Sequence, residues 1–242
     1  MKNSNKWLLA ALLVLLASLT AYNMALRTEY RRGTYRDPLR DYTTLGFRDF
    51  TEVAAPAASV VGLKIVAGPF RVRISPRAAK YVHLRQQGGR LVVTAAFPDD
   101  RVPLGQESVV ISCPRLTHLS TNAEYGAKGK LRRDRTEMFY GVSPVVVKGF
   151  TQDSLSVQQD NATRIELQDN NLDFLRAVAG NTPGSRGTLQ LNQGNRVAAA
   201  SFAIGHQCEL QLHDVLIPRL RYHFADSARA TFTGAALTSL QQ

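Results

Sequence analysis

The sequence predicts an all-β protein, a parallel β-helix or β-roll-like solenoid of short strands, preceded by one N-terminal transmembrane helix. Three observations carry that expectation. From Ser154 to Leu240 an apolar-x-apolar pattern recurs at intervals of roughly twenty residues, each instance ending in a polar turn, and a period in that range signals a coiled sheet. Before it, short runs of alternating, often β-branched residues are punctuated by Gly and Pro, which is strand texture. At the N-terminus, Trp7 to Leu26 carries no charge, and twenty residues make about 30 Å of helix, the thickness of a bilayer core.

Taken in order, residues 1–26 read as a signal anchor. A cleaved signal peptide competes with that reading, but it needs small residues at −3 and −1 of the cut. A cut after Ala21 leaves Leu19 at −3, and one after Ala25 leaves Asn23 there. The uncleaved anchor is preferred. Orientation is contested by the flanks: Lys2 and Lys6 precede the span, whereas Arg27, Arg31, Arg32, Arg36 and Arg40 follow it. The arginine count would keep the C-terminal part inside, while a short basic tail before an apolar run is how export signals look. The domain is expected on the extracytoplasmic side. Residues 27–46 mix charge, Tyr, Gly and Pro with few aliphatics and read as a juxtamembrane linker.

Residues 47–242 are expected to form the β-solenoid, long enough for a substantial core. Its first half, 47–150, opens with Leu63 and Ile65, then Phe70, Val72 and Ile74, then Val82 and Leu84, then Leu91 and Val93. Gly68-Pro69 and Gly88-Gly89 supply turns, since Gly reaches positive φ and Pro cannot continue a ladder. Val109 to Ile111 form the next strand, Pro114 ends it, and Leu116 and Leu119 resume the pattern. Tyr125 to Gly141 breaks it with Gly and charge, and reads as an exposed excursion. Its basic run, Lys128, Lys130, Arg132, Arg133 and Arg135, with Tyr125, Phe139 and Tyr140 nearby, is the local candidate for contact with an anionic ligand, against the plainer reading of a solvated loop. Nucleic acid is not expected, because no recognition motif surrounds the run.

The repeat half, 151–242, can be set in register. Ile165 and Leu167, Leu189 and Leu191, Leu210 and Leu212, and finally Phe232 occupy equivalent places, spaced 24, 21 and 20 residues from Leu167 to Phe232. Between them lie second strands: Leu175 and Ala177, Phe202 and Ile204, then Leu220, Tyr222 and Phe224. Each unit is too small to hide its own inward residues, so neighbours must stack. Asp169, Asn170, Asn195 and Asp214 suit turns whose side chains bond backbone. An antiparallel sandwich would also show short strands, but has less reason for the unit to recur.

The segments from Phe50 to Val53, Gly62 to Val93 and Val109 to Ser120, with the repeats behind them, resemble the head GIN domain group of adhesin-like bacterial envelope proteins. The resemblance covers about four-fifths of the chain. It implies a coil of short parallel strands, an envelope location and a binding role, with no established chemistry. Many members carry glycine-serine-glycine steps before each strand, where this chain has Asn161-Ala162-Thr163, Ser185-Arg186-Gly187, His206-Gln207-Cys208 and Ser227-Ala228-Arg229.

Charge and motif narrow the function classes. The formal charge of +11 is unevenly placed: the first 150 residues carry +12, while residues 151–242 hold seven basic and eight acidic groups. A basic domain beside a membrane attracts anionic head groups or acidic polysaccharide, against a null of plain solubility charge. Cys113 and Cys208 read as buried thiols, with a single bridge between the halves as the alternative in an exported domain. His83, His118, His206, His213 and His223 lack metal-ligand spacing, and no motif calls for a cofactor. Asp160, Glu166, Asp169 and Asp214 are the carboxylates from which a glycan-cleaving pair would come, though turn chemistry explains them more cheaply. Ser201 and Ser239 lack the glycines of a nucleophile elbow. Asn161-Ala162-Thr163 matches a glycosylation sequon. The expected function is a non-enzymatic, membrane-anchored envelope protein contacting glycan, acidic polymer or another envelope protein; a structural scaffold and a carbohydrate-active enzyme are the alternatives.

Overall fold

The computed structural model describes residues 3–32, 37–102, 104–135, 144–225 and 227–240. The chain is mostly β with one N-terminal apolar helix, and it divides into a unit ending at Tyr42 and a unit beginning at Thr43.

Helix α1 spans Asn3–Arg32, and its Leu-rich middle presents apolar side chains on every side. It is long and apolar enough to cross a membrane. Three of its hydroxyls are satisfied within the helix: Ser18 donates to the Leu15 carbonyl at 2.9 Å, Thr20 to Leu16 at 2.8 Å and Thr28 to Met24 at 3.0 Å. The helix runs six residues past Leu26, because nothing from Arg27 to Arg32 breaks it before Gly33.

In the second unit, β1 (Thr43–Leu45), β2 (Glu52–Ala55), β3 (Leu63–Ala67), β4 (Arg71–Ile74), β5 (Val82–Gln87), β6 (Arg90–Phe97), β7 (Val109–Cys113), β8 (His118–Thr121), β9 (Glu124–Ala127) and β10 (Lys130–Arg133) come from the first half. The repeat half supplies β11 (Val145–Lys148), β12 (Thr151–Gln159), β13 (Arg164–Gln168), β14 (Asn171–Ala179), β15 (Thr188–Leu191), β16 (Arg196–Ile204), β17 (Glu209–His213), β18 (Arg219–Phe224) and β19 (Arg229–Thr233). Two open sheets result. The first runs β1-β4-β7-β3-β11-β13-β15-β17-β19, and the second β10-β9-β6-β2-β8-β12-β14-β16-β18, with β5 also paired to β6.

From β11 onward the chain alternates between the sheets and every strand pairs in parallel with the one two ahead. The registers are those of the sequence repeat: Leu167, Leu191, Leu212 and Phe232 stand opposite one another, as do Ala177, Phe202 and Tyr222. The side chains of Leu167, Leu191, Leu212, Ala177 and Phe202 are buried between the sheets, while Phe232 and Tyr222, on the last strands, are partly covered. The first half departs from this scheme. β1, β4 and β7 pair antiparallel, β5 and β6 form one hairpin and β9 and β10 another. Turns as short as Gly88-Gly89 reverse a chain directly and leave no length for a parallel crossover.

One corner of the repeat half shows how the turns are held. Asn170 is buried, receives the Phe150 amide on Oδ1 at 3.0 Å, and donates through Nδ2 to the Val147 carbonyl and to Asn195 Oδ1, each at 3.0 Å. Asn195 in turn donates to Leu167 O at 2.7 Å and Asn192 O at 2.6 Å. These amides therefore bond the backbone of neighbouring rungs as well as their own turn, and Asn170 gives the Phe150 amide its acceptor. Beside them, Gly149, Asp169, Gly194, Asp214 and Gly234 all take left-handed backbone conformations at successive rungs. A Cβ on Gly194 would strike the Asp169 carboxylate, and one on Gly234 the Asp214 carboxylate.

Candidate functional site

The segment expected to be an exposed excursion begins as a hairpin, and most of the basic run falls on its turn and its exposed second strand. Tyr125 and Ala127 are buried on β9, and Lys128 and Gly129, with φ of 52° and 69°, make the two-residue turn into β10. Two consecutive positive φ values match the twist of a tight hairpin. Sequence alternation missed it because β10 lies at the edge of the second sheet with all four residues exposed, so it needs no apolar row. Lys128 is paired with Asp100 at 2.8 Å, and Arg133 is bound to Glu124. Lys130 and Arg132 face solvent with no ion pair among the described residues, and exposed Arg135 follows the strand. Charged side chains of this kind shield a free edge from unwanted strand pairing. Behind the hairpin, Asp134 receives Arg101 at 3.1 Å, the Tyr125 hydroxyl at 3.2 Å and the Ser59 hydroxyl at 3.2 Å. Burial, then the Asp134 charge, pushes the Tyr125 phenol up. Phe139 and Tyr140 lie outside the described residues.

A groove of about 470 Å³ opens along the second sheet, and sequence reasoning did not find it. Its polar lining comes from four separated segments: Gln87 and Arg90 from the β5–β6 hairpin, Ser120 from β8, Gln158 and Asp160 from the end of β12, and Asn181 after β14. Ala54, Ser120 and Gln158 occupy one register row, so a small floor residue stands beside two hydrogen-bonding ones. Arg90 is fixed by Glu52 at 2.8 Å. Burial opposes ionisation of Asp160, but the Thr182 hydroxyl and amide, with further donors from Asn161 and Ser185, outweigh it and hold the carboxyl below its ordinary range. Neutral amides, a hydroxyl, an arginine and an ionised carboxylate suit hydroxyl-rich ligands, which both donate and accept hydrogen bonds. No signal short of the strand register would have joined these positions.

The remaining candidates are dispersed. Asp160 is held by Thr182, Glu166 by Arg164 at 3.0 Å, Asp169 by Lys148 at 3.0 Å, and Asp214 accepts the Ala235 amide at 2.9 Å. Glu166 faces outward on the first sheet, and the three aspartates stand at turns, so the four do not gather in one groove. Among the described residues no group of three or more His, Cys, Asp or Glu side chains converges on a metal-sized site. Ser239 is buried and accepts the Ile217 amide at 2.9 Å, while Ser201 faces outward from β16. Asn161 of the sequon is buried and donates to Asn122 at 2.6 Å, so its amide is not presented to a modifying enzyme.

Both cysteines are free and buried. Cys113 ends β7 and Cys208 immediately precedes β17, five strand steps away in the first sheet, or about 24 Å at the usual strand spacing. A bridge needs Cα atoms within about 7 Å, so the two halves are not stapled. Burial pushes the Cys113 thiol up to about 12 and raises that of Cys208, whose sulfur accepts the Gly187 amide at 3.2 Å.

No protein-family model and no curated protein sequence matches the chain. Solved structures do. A "putative adhesin" from Bacteroides fragilis is 13% identical, with a TM-score of 0.48, over 80% of this chain and 93% of the other. A "putative adhesin" from Parabacteroides distasonis is 10% identical, with a TM-score of 0.37, over 80% and 94%. A "putative lipid binding protein" from the same species is also 10% identical, with a TM-score of 0.37, over 80% and 94%.

Proposed function

We propose that the chain is a non-enzymatic cell-envelope protein of the head GIN, adhesin-like type, anchored by α1, whose β-unit is a solenoid on the extracytoplasmic side that binds glycan. The groove carries this reading. It offers hydrogen-bonding amides and one arginine over a small-residue floor, and its carboxylate, Asp160, is engaged by Thr182 rather than paired with a second acid. Such a surface holds a sugar without supplying the two carboxylates that would cleave it.

The test is a glycan array probed with the full chain in neutral phosphatidylcholine nanodiscs, beside a Gln158→Ala/Asn181→Ala variant. Binding that falls at least tenfold in the variant supports the groove. A silent array rejects glycan recognition. Location is tested by reporters fused after Gln242: activity of one that works only in the cytoplasm would overturn the envelope reading.

A scaffold role has its own supporting observation. β18 and β19 are the last strands at one end of the two sheets, where the 3-10 helix of Gly234–Leu240 packs against them, and Tyr222, in an inward register position, is still half exposed there. Concentration-dependent assembly that Tyr222→Arg abolishes would favour it.

A further inference from the structure

The parallel registers place an arginine cluster that the chain's charge total conceals. On the outward face of the second sheet, one row crosses successive strands as Ser156, Arg176, Ser201 and Arg221, and the next as Ser154, Phe174, Ala199 and Arg219. Arg219 and Arg221 are two residues apart on β18, about 7 Å along the strand. Arg176 stands two strands from Arg221, about 10 Å away across the sheet. Only Ser201 and Ala199 lie within this triangle, so nothing large covers it. All three arginines are exposed, and none has an ion pair among the described residues.

Among the described residues, the carboxylates of the same half other than Asp173 are placed elsewhere or occupied. Glu166 and Glu209 face outward on the first sheet; Asp160, Asp169 and Asp214 stand at turns; Asp153 is paired with Arg115 at 3.4 Å. Asp173, on the bend of β14 and outside the strand pairing, is the acid nearest in sequence to the cluster. A half-chain with near-zero net charge thus has a cationic face. Phe174, 41% exposed, sits on that face between Ser154 and Ala199.

We infer that this face is a binding surface for an acidic polysaccharide bearing sulfate or carboxylate groups. The inference rests on the glycan-binding reading above and names the acidic ligand class and a second surface for it. Three guanidiniums in a shallow triangle present planar forks to oxyanions. Ser201 adds a hydroxyl at its centre, and the exposed ring of Phe174 offers an apolar face for a sugar. A membrane surface fits less well, because Phe174 is the single large apolar side chain in these two rows and the other outward residues beside the arginines are Ser and Ala.

The experiment uses the full chain in neutral phosphatidylcholine nanodiscs and measures binding to sized heparin fragments, polygalacturonate, neutral dextran and phosphatidylglycerol vesicles. Wild type is compared with Arg176→Ala/Arg219→Ala/Arg221→Ala, with Phe174→Ala, and with Lys130→Ala/Arg132→Ala on the hairpin. The expected result is binding to heparin or polygalacturonate but not dextran, weakened about thirtyfold by the triple substitution, from a factor of about three per exposed charge contact. Phe174→Ala weakens it severalfold, and the hairpin variant binds as wild type does. Circular dichroism checks that each variant is folded. Acidic-polymer binding that survives the triple substitution and is lost in the hairpin variant overturns this surface and leaves the proposed function standing. Dextran binding alone overturns the acidic-ligand inference while retaining glycan recognition. Vesicle capture without polysaccharide binding overturns both in favour of a membrane surface.

Discussion

The buried amide of Asn170 ties three rungs together, and its removal has a calculable cost. In Asn170→Ala the Phe150 amide loses its side-chain acceptor, and the Val147 carbonyl and Asn195 Oδ1 each lose a donor. Asn195 Oδ1 keeps the Asn170 backbone N–H at 3.0 Å, and Val147 lies within the β11 ladder, so the Phe150 amide is the backbone group left stranded in a dry interior. At about 1–3 kcal/mol for an unsatisfied buried group, the expected loss is about 1–3 kcal/mol. Asn170→Asp has the same shape and still accepts from Phe150, but sets a carboxylate oxygen against two acceptors. It should therefore cost more near neutral pH, and recover part of the loss as acid protonates the carboxyl and restores one donor. Urea unfolding of the full chain in detergent, followed by circular dichroism, measures both losses, and hydrogen exchange at the Phe150 amide reports the local effect. A loss under 1 kcal/mol for Asn170→Ala, with unchanged exchange at Phe150, would refute the claim that the amide ladder holds this corner.

Two further outcomes are expected. The Asp160 carboxyl is held below its ordinary value of 3.8, so its contribution to stability is full above that pH and is lost as pH falls through the folded-state value; the stability gap between wild type and Thr182→Val should be widest near neutrality and close in acid. Cys113 and Cys208 should resist alkylation in the native protein and both react after denaturation without reductant, as read by mass spectrometry; a bridged pair would instead stay unlabelled until reduced.

The repeat half was legible because its apolar residues stand in register at regular intervals, so Leu167, Leu191, Leu212 and Phe232 align in the linear chain as they do across the sheet. The first half was legible as strands but not as pairings. Alternation fixes which face is buried, while the choice between parallel and antiparallel rests on loop length, and Lys128-Gly129 and Gly88-Gly89 give room only for reversal. The groove and the arginine cluster were hidden for a different reason. Their residues are outward-facing, and outward positions carry no hydrophobic signal, so Arg176, Ser201 and Arg221 become neighbours only once the register is known. Summing charge over the segment obscured them further, because most of the described compensating acids project from the other sheet and from the turns.

The corner of left-handed residues constrains how such a pair of stacked sheets changes length. Glycine and aspartate alternate there from Gly149 to Gly234, and the glycines at 194 and 234 leave space that the preceding aspartate fills. The unit of inheritance at this corner is therefore a pair of rungs. Deleting or duplicating a single rung would bring carboxylate over carboxylate, or glycine over glycine with a void between, whereas a two-rung block spanning Asp169 to His213 could be copied with every neighbour preserved.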